Sequence, residues 1–124
     1  MSNTTVTFRG KATPEVTGAR YFKTALTTTI PGTLQVLITD TVGVSAEVWL
    51  MQLDATSMRS GIVYLVLDGV TIASKRTVSG SPNATFYFSP YHAALSGQVI
   101  EVKYLSHSWN PASDVEVYLQ GRLL

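Results

Sequence analysis

The residue types that could do chemistry are concentrated in one stretch near the C-terminus, SHSWNPASD, which runs from Ser106 to Asp114. Within it, Ser106 and Ser108 flank His107. Together with the carboxylate of Asp114, the stretch therefore contains the nucleophile, the base and the orienting carboxylate of a hydrolase triad. However, neighbouring residues of one loop rarely converge, and the chain lacks the Gly-x-Ser-x-Gly turn that exposes a nucleophilic serine. We therefore predict a loop without catalytic residues, and a protein that is not an enzyme.

Metal and cofactor chemistry have less support. The only other histidine, His92, lies fifteen residues before His107, which is no recognised ligand spacing. The carboxylates Glu101 and Glu116 alternate outward on their predicted strands, as solvated residues do. The chain has no cysteine, which excludes disulfides and thiolate ligands and is compatible with a reducing compartment. Its glycines stand at turns and form no phosphate loop before a helix, which argues against nucleotide binding. From these observations together we predict no metal and no cofactor.

Aromatic side chains are the remaining candidates for a binding site. Tyr87 and Tyr118 lie opposite the expected core faces of their strands, where such rings serve oligomer contacts or sugar platforms, and we favour the protein contact. Trp109 is predicted to anchor its loop by local packing, with an interface contact or a sugar platform as the alternatives. Trp49 shares a strand face with Met51 and Leu53, which predicts a core position.

Composition indicates one domain and argues against two classes of partner. The chain has 124 residues, of which 45% are hydrophobic and 14% charged, with a formal net charge of +1. Basic residues are scattered singly apart from Lys75 and Arg76, so we predict no nucleic-acid partner. No apolar run approaches the roughly 20 residues of a membrane helix, and the polar N-terminus does not resemble a signal peptide. A weakly charged surface is cheap to bury against another protein.

Hydrophobic periodicity predicts an all-β chain. Apolar residues alternate with period two or form short β-branched runs, and turn residues separate them. The expected fold is an antiparallel two-sheet β-sandwich of eight or nine short strands, either jelly-roll or immunoglobulin-like. One helical turn is predicted within residues 90–97, ending at Gly97. The predicted strands are 4–9, 21–29, 34–40, 47–53, 62–67, 70–75, 84–88, 99–105 and 115–120.

The clearest local prediction is the hairpin GIVYLVLDGVTIASK. Asp68 and Gly69 suit the positive backbone angles of a two-residue type I′ turn. The register that follows places Leu65 opposite Ile72, with Val63 on the same face, and this face is predicted to be core.

The opposite face of this hairpin is unusual because it is also apolar. It carries Ile62, Tyr64 and Val66 opposite Thr71 and Ala73. A solvated face of an antiparallel sheet is normally polar. We therefore predict that another chain or the N-terminal arm covers it.

Residues 1–20 differ in character from the sandwich domain predicted over residues 21–124. They contain few large apolar groups and are interrupted by glycine and proline. The segment that contains Phe8 and Arg9 is predicted to be either an edge strand or an arm that lies on a neighbouring subunit.

The C-terminal run LSGQVIEVKYLSHSWNPASDVEVYLQGRLL resembles small β-sandwich virion proteins of tailed bacteriophages, especially capsid decoration or cement proteins. The similarity covers a quarter of the chain and consists of strand and turn chemistry. It implies a non-enzymatic protein that is made in the host cytoplasm and binds the capsid surface of an assembled head. It also implies a homotrimer that clamps subunits of the major capsid protein.

Under this hypothesis, Ile62, Tyr64 and Val66 are assigned to subunit contact. Phe8 and Arg9 are assigned to capsid contact. Two alternatives stay open on the sequence. The first is a carbohydrate-binding module or fibre tip, suggested by Trp109 and the outward tyrosines. The second is another virion component, such as a tail tube, tail fibre or collar protein.

Overall fold

The structure is a computed structural model that describes residues 19–78 and 82–124. Every regular element in this part of the chain is a strand, as the period-two pattern predicted. The predicted arm, with Phe8, Arg9 and strand 4–9, lies outside the described residues, except that residues 19 and 20 belong to the first strand. The strands are β1 (Ala19–Thr28), β2 (Leu34–Thr41), β3 (Glu47–Ser57), β4 (Gly61–Leu67), β5 (Val70–Thr77), β6 (Asn83–Leu95), β7 (Val99–Ser106) and β8 (Asp114–Leu123).

Strand pairing is nested. β1 pairs with β8, β2 with β7, β3 with β6 and β4 with β5, all antiparallel. The four pairs form one long antiparallel ribbon. This ribbon folds over itself and gives two four-stranded sheets, ordered β1-β8-β3-β6 and β2-β7-β4-β5. The two-sheet β-sandwich is therefore confirmed, and its strand order is that of a jelly roll.

The core lies between the two sheets and is built by alternating residues of the inner strands. Three residues of β8 and three of β7 have no exposed surface: Val115, Val117, Leu119, Ile100, Val102 and Tyr104. The predicted alternation of both strands is thus confirmed. Tyr104 is the largest of these side chains, and its hydroxyl lies 2.7 Å from the hydroxyl of Thr77, so the buried polar atom is paired.

The edge strands β1 and β2 belong to different sheets, and a hydrogen bond joins them. The Tyr21 hydroxyl donates to Oδ2 of Asp40 over 2.7 Å. Burial, followed by this bond and the charge of Asp40, raises the pKa of Tyr21 far above its ordinary value. The phenol therefore remains a donor at alkaline pH, where an exposed tyrosine would ionise.

The β4–β5 hairpin has the predicted turn but not all of the predicted register. Asp68 and Gly69 have φ angles of 53° and 82°, as a type I′ turn requires. Leu65, however, lies opposite Ala73 and not Ile72, because the register shifts between Leu65 and Val66. Ile72 is the extra residue of this β-bulge, which period-two alternation does not reveal.

A second bulge, in β3, makes the predicted core position of Trp49 wrong. Leu50 pairs with Gly121 of β8, whereas Gln52 pairs with Gln120, so Met51 is an extra residue. The insertion reverses the alternation along the strand. Leu50 and Leu53 therefore both face the core, and Trp49 points outward.

The helical turn predicted within residues 90–97 is also wrong. Strand β6 continues to Leu95 and pairs with β3 on both sides of an irregular segment, through Tyr87 opposite Gln52 and His92 opposite Leu50. Pairing with a long neighbouring strand overrides the local turn signals of this stretch. Gly97, with a φ of 84°, belongs to the turn between β6 and β7.

Gly121 offers a test of the β3–β8 packing. A Cβ at this position would collide with the backbone carbonyl of Trp49. Backbone atoms cannot move aside as the end of a flexible side chain can. We expect Gly121→Ala to lower the free energy of unfolding by about 2–3 kcal/mol in urea denaturation. Gly43→Ala is the matched control, because its Cβ would meet nothing closer than 4.0 Å, and it should change stability by less than about 0.5 kcal/mol. Equal effects of the two substitutions would contradict the close approach.

Candidate functional site

The structure does not assemble the triad residues of the C-terminal stretch into a catalytic arrangement. Ser106 is fully buried at the end of β7, and its Oγ accepts a hydrogen bond from Asn110 over 3.1 Å. Asp114 begins β8 and accepts a hydrogen bond from Thr28 over 3.2 Å. Within residues 19–78 and 82–124, no hydrogen bond joins the His107 ring to a serine or to Asp114.

The loop between β7 and β8 is held by Asn110. Its Nδ2 donates to the carbonyl of Ser60 over 2.7 Å, and its backbone N–H donates to the carbonyl of His107 over 3.0 Å. Trp109, which was predicted to anchor this loop, stacks on His107 of the same loop with ring centroids 4.4 Å apart, and it is 75% exposed. Asparagine in a loop typically forms hydrogen bonds with backbone groups, so the position of Asn110 in the sequence already indicated this role.

The described part of the chain contains no cluster of potential metal ligands. No group of three or more histidine, cysteine or acidic side chains comes close enough there to bind an ion. His92 lies on β6, with its ring 6.1 Å from that of Phe88.

The described residues also contain no helix long and apolar enough to span a membrane.

The three residues assigned to subunit contact do lie together, on the outer face of the β2-β7-β4-β5 sheet. Cross-strand pairing aligns Ile62 with Leu105, and Tyr64 with Lys103. Leu34 and Val36 of the edge strand β2 continue these two rows and are 49% and 52% exposed. We call this surface the apolar face: Leu34, Val36, Ile62, Tyr64, Val66 and Leu105.

The apolar face contains a shallow cleft of about 190 Å³. Val66 forms its floor and is only 4% exposed, while Tyr64 forms a wall. One ion pair lies on the same face, with Lys103 Nζ 3.8 Å from Glu101 Oε1. This pair satisfies its own charges, and Arg76, the exposed cross-strand partner of Ile62, leaves the face with a small positive charge.

The outer face of the other sheet, β1-β8-β3-β6, is polar and aromatic. One cross-strand row runs Phe22, Gln120, Gln52 and Tyr87, with one residue from each strand. The neighbouring row on one side contains Arg20 and Arg122, and the row on the other side contains Tyr118 and Asp54. We call this surface the aromatic face: Arg20, Phe22, Gln52, Asp54, Tyr87, Tyr118, Gln120 and Arg122.

The outward tyrosines were expected on this face, but most of their neighbours were not. Tyr87 is 75% exposed. The ring of Phe22 lies 5.9 Å from that of Tyr118, and the Arg20 guanidinium lies 4.7 Å above Phe22. No sequence signal groups Phe22 with Gln120, because only strand order makes β1 and β8 neighbours.

Asp54 organises the polar centre of the aromatic face. Its carboxylate accepts hydrogen bonds from Gln52 and Thr85, each over 2.8 Å, and from Gln120 over 3.4 Å. A hydrogen bond to Glu116 raises the pKa of the neighbouring Tyr118. This arrangement holds several polar side chains in fixed positions on an outer sheet surface, where they can form hydrogen bonds with a ligand.

The role of Asn110 can be tested by substitution. We expect Asn110→Ala to lower the free energy of unfolding by about 1–2 kcal/mol, because the carbonyl of Ser60 keeps only the longer hydrogen bond from the His107 N–H and the buried Oγ of Ser106 loses the Asn110 donor. Ser108→Ala, a change at an exposed position of the same loop, should have little effect. Urea denaturation measures stability, and in a Trp49→Phe background, where Trp109 is the only tryptophan, its fluorescence anisotropy should fall only in the Asn110 variant. Unchanged anisotropy in both variants would remove Asn110 as the anchor.

Comparison with known proteins finds no match to a family model, to a curated protein or to a solved structure. The case for a function therefore rests on the resemblance of the C-terminal run and on the chemistry of the two outer faces.

Proposed function

We propose that this protein is a non-enzymatic virion structural protein, a decoration or cement protein that binds the surface of an assembled phage head and stabilises it. The observation that carries the proposal is the apolar face, which gathers six apolar or aromatic side chains on the outer surface of one sheet. Solvated sheet faces are normally polar. A surface of this composition is suited to burial against another protein, and we assign it to contact between subunits of a homotrimer.

The position of the apolar face supports contact between subunits. The face extends from the centre of the sheet to β2, which is an edge strand. Leu34 and Val36 are half exposed there, so a partner that covers the face also shields a sheet edge. Burial of apolar surface contributes about 25 cal/mol per Å², and the small net charge of the face keeps the desolvation penalty low.

The proposed mechanism is stabilisation by mass action. A protein that binds only the assembled lattice raises the free energy needed to open it. Three linked copies around one axis increase each other's effective concentration at the capsid. In this proposal the partner is the major capsid protein, and Phe8 and Arg9 of the N-terminal arm, which lie outside the described residues, make the capsid contact.

The virion setting itself is supported by the resemblance of residues 95–124 to phage β-sandwich proteins. The same architecture would serve a tail tube, tail fibre or collar protein, so the location within the virion has to be tested directly.

The subunit contact can be tested with Tyr64→Glu. A carboxylate at the wall of the apolar cleft would have to be desolvated in an interface, and we expect the oligomer to dissociate into monomers. Tyr87→Glu introduces the same change on the opposite sheet and is the matched control. Light scattering gives the mass of each variant, and circular dichroism checks that both remain folded. A Tyr64→Glu variant with the wild-type mass would exclude this face as the subunit contact.

The location can be tested by cosedimentation of the purified protein with heads and with tails of the encoding phage. We expect binding to assembled heads, no binding to unassembled capsid subunits, and a higher temperature for release of DNA from decorated heads. Removal of residues 1–18 should abolish binding to heads while leaving the oligomer intact. Binding to tails alone would replace the decoration role with that of a tail component.

A further inference from the structure

We propose that the aromatic face of the β1-β8-β3-β6 sheet is a binding site for an acidic oligosaccharide, one whose sugar ring carries a carboxylate. The site is the juxtaposition of an aromatic and amide row with a neighbouring pair of arginines. The inference is independent of the proposed function, because the apolar face lies on the other sheet.

The first observation is the pair of rings at the two ends of one row. Phe22 and Tyr87 lie on the outer strands of the sheet, three interstrand spacings or about 14 Å apart. Tyr87 is 75% exposed, although an aromatic ring gains free energy when it is covered. Rings at this separation suit the apolar faces of the sugar units at the two ends of a short chain.

The second observation is the two amides between the rings. Gln52 and Gln120 each donate one hydrogen bond to Asp54, which fixes the orientation of both side chains. Each amide retains a second N–H donor and its carbonyl acceptor. Sugar hydroxyls both donate and accept hydrogen bonds, so they match these amides. Because the amide side chains are already fixed, binding does not cost the conformational entropy of ordering them.

The third observation is the arginine pair, which selects an acidic ligand. Arg20 and Arg122 are direct cross-strand partners, and like charges in this position destabilise a sheet. Among the described residues the ion pairs are Lys23 with Asp40 and Lys103 with Glu101, so neither arginine has a carboxylate partner there, and Arg20 contacts only the Phe22 ring, over which its guanidinium lies. A cleft of about 200 Å³ is lined by both arginines and both glutamines. A ligand carboxylate in this cleft would receive the parallel N–H groups that guanidinium provides.

The charge distribution of the face argues against a polyanion such as nucleic acid. The arginines occupy one end, whereas Asp54, Glu116 and Asp114 occupy the rows toward the other end. A long, uniformly charged chain would meet repulsion over half of its path. A short saccharide with one carboxylate at the arginine end and neutral hydroxyls over the amides avoids this repulsion.

Trp49 provides a built-in reporter for this site. It is the cross-strand neighbour of Arg122 and stacks on Tyr91 with ring centroids 4.0 Å apart. The chain has only two tryptophans, so Trp109→Ala leaves Trp49 as the sole emitter. Trp109 is as exposed as Tyr87 but lies in the β7–β8 loop, so the same substitution is also a matched control for loss of an exposed ring.

The experiment titrates the Trp109→Ala protein with sialyllactose and trigalacturonate, and with lactose and maltotriose as neutral counterparts. We expect the acidic probes to change Trp49 emission and to bind in calorimetry, and the neutral ones to bind at least about tenfold more weakly. Adding Tyr87→Ala, which removes the more exposed of the two rings, should weaken binding of the acidic probes about fivefold to tenfold. Arg122→Gln should abolish the preference for acidic over neutral probes while leaving weak binding of both.

Several outcomes would overturn the proposal. Silence of all four probes at millimolar concentration, with the wild-type protein giving the same result, would exclude a saccharide site. Equal binding of acidic and neutral probes would exclude the role of the arginines. Binding in the wild type that Trp109→Ala removes would move the site to the β7–β8 loop. Because the oligomer mass and head binding are measured separately, failure here leaves the proposed virion role unaffected, and the reverse also holds.

Discussion

The close approach of β3 to β8 at Gly121 is the constraint on which the larger part of the structure depends. The Trp49 carbonyl lies where a side chain at position 121 would begin, so only glycine fits. This approach accompanies the bulge at Met51. The bulge reverses the alternation of β3, so that Leu50 and Leu53 both face the core. Without it, half of the strand would present apolar residues to solvent and polar residues to the interior.

The same bulge determines the chemistry of the aromatic face. It places Gln52 and Asp54 outward beside Gln120 of β8, where their side chains form one hydrogen-bonded group. It also turns Trp49 outward, where Tyr91 covers one side of its ring and Glu47 accepts a hydrogen bond from its indole N–H over 2.8 Å. A single inserted residue thus supports both the packed interior and the candidate binding surface.

The two outer faces have opposite character, and this allows them to serve different partners at once. The apolar face offers contact area and little net charge, which suits a stable protein interface. The aromatic face offers fixed amides, exposed rings and an arginine pair, which suit a small polar ligand. If copies of the chain associate through the apolar face, the aromatic face of each copy stays directed away from that contact. The β7–β8 loop, which contains His107 and its neighbouring serines, is held in place by the hydrogen bond from Asn110 to the carbonyl of Ser60.

The sequence by itself determined the features that depend on local physics. Period-two alternation was sufficient for the all-β class and for the buried rows of β7 and β8, and Asp68 with Gly69 was sufficient for the hairpin turn. The grouping of Ile62, Tyr64 and Val66 on one face also followed from alternation within a single strand.

Tertiary structure decided the features that depend on pairing between distant strands. The bulges at Met51 and Ile72 exist because a neighbouring strand fixes the register, and the extension of β6 beyond Phe88 exists because β3 pairs with it. The aromatic face draws Phe22 and Gln120 from opposite ends of the chain, and only the jelly-roll strand order brings them together. Alternation acts along one strand, whereas register and strand order act between strands, and no local pattern encodes them.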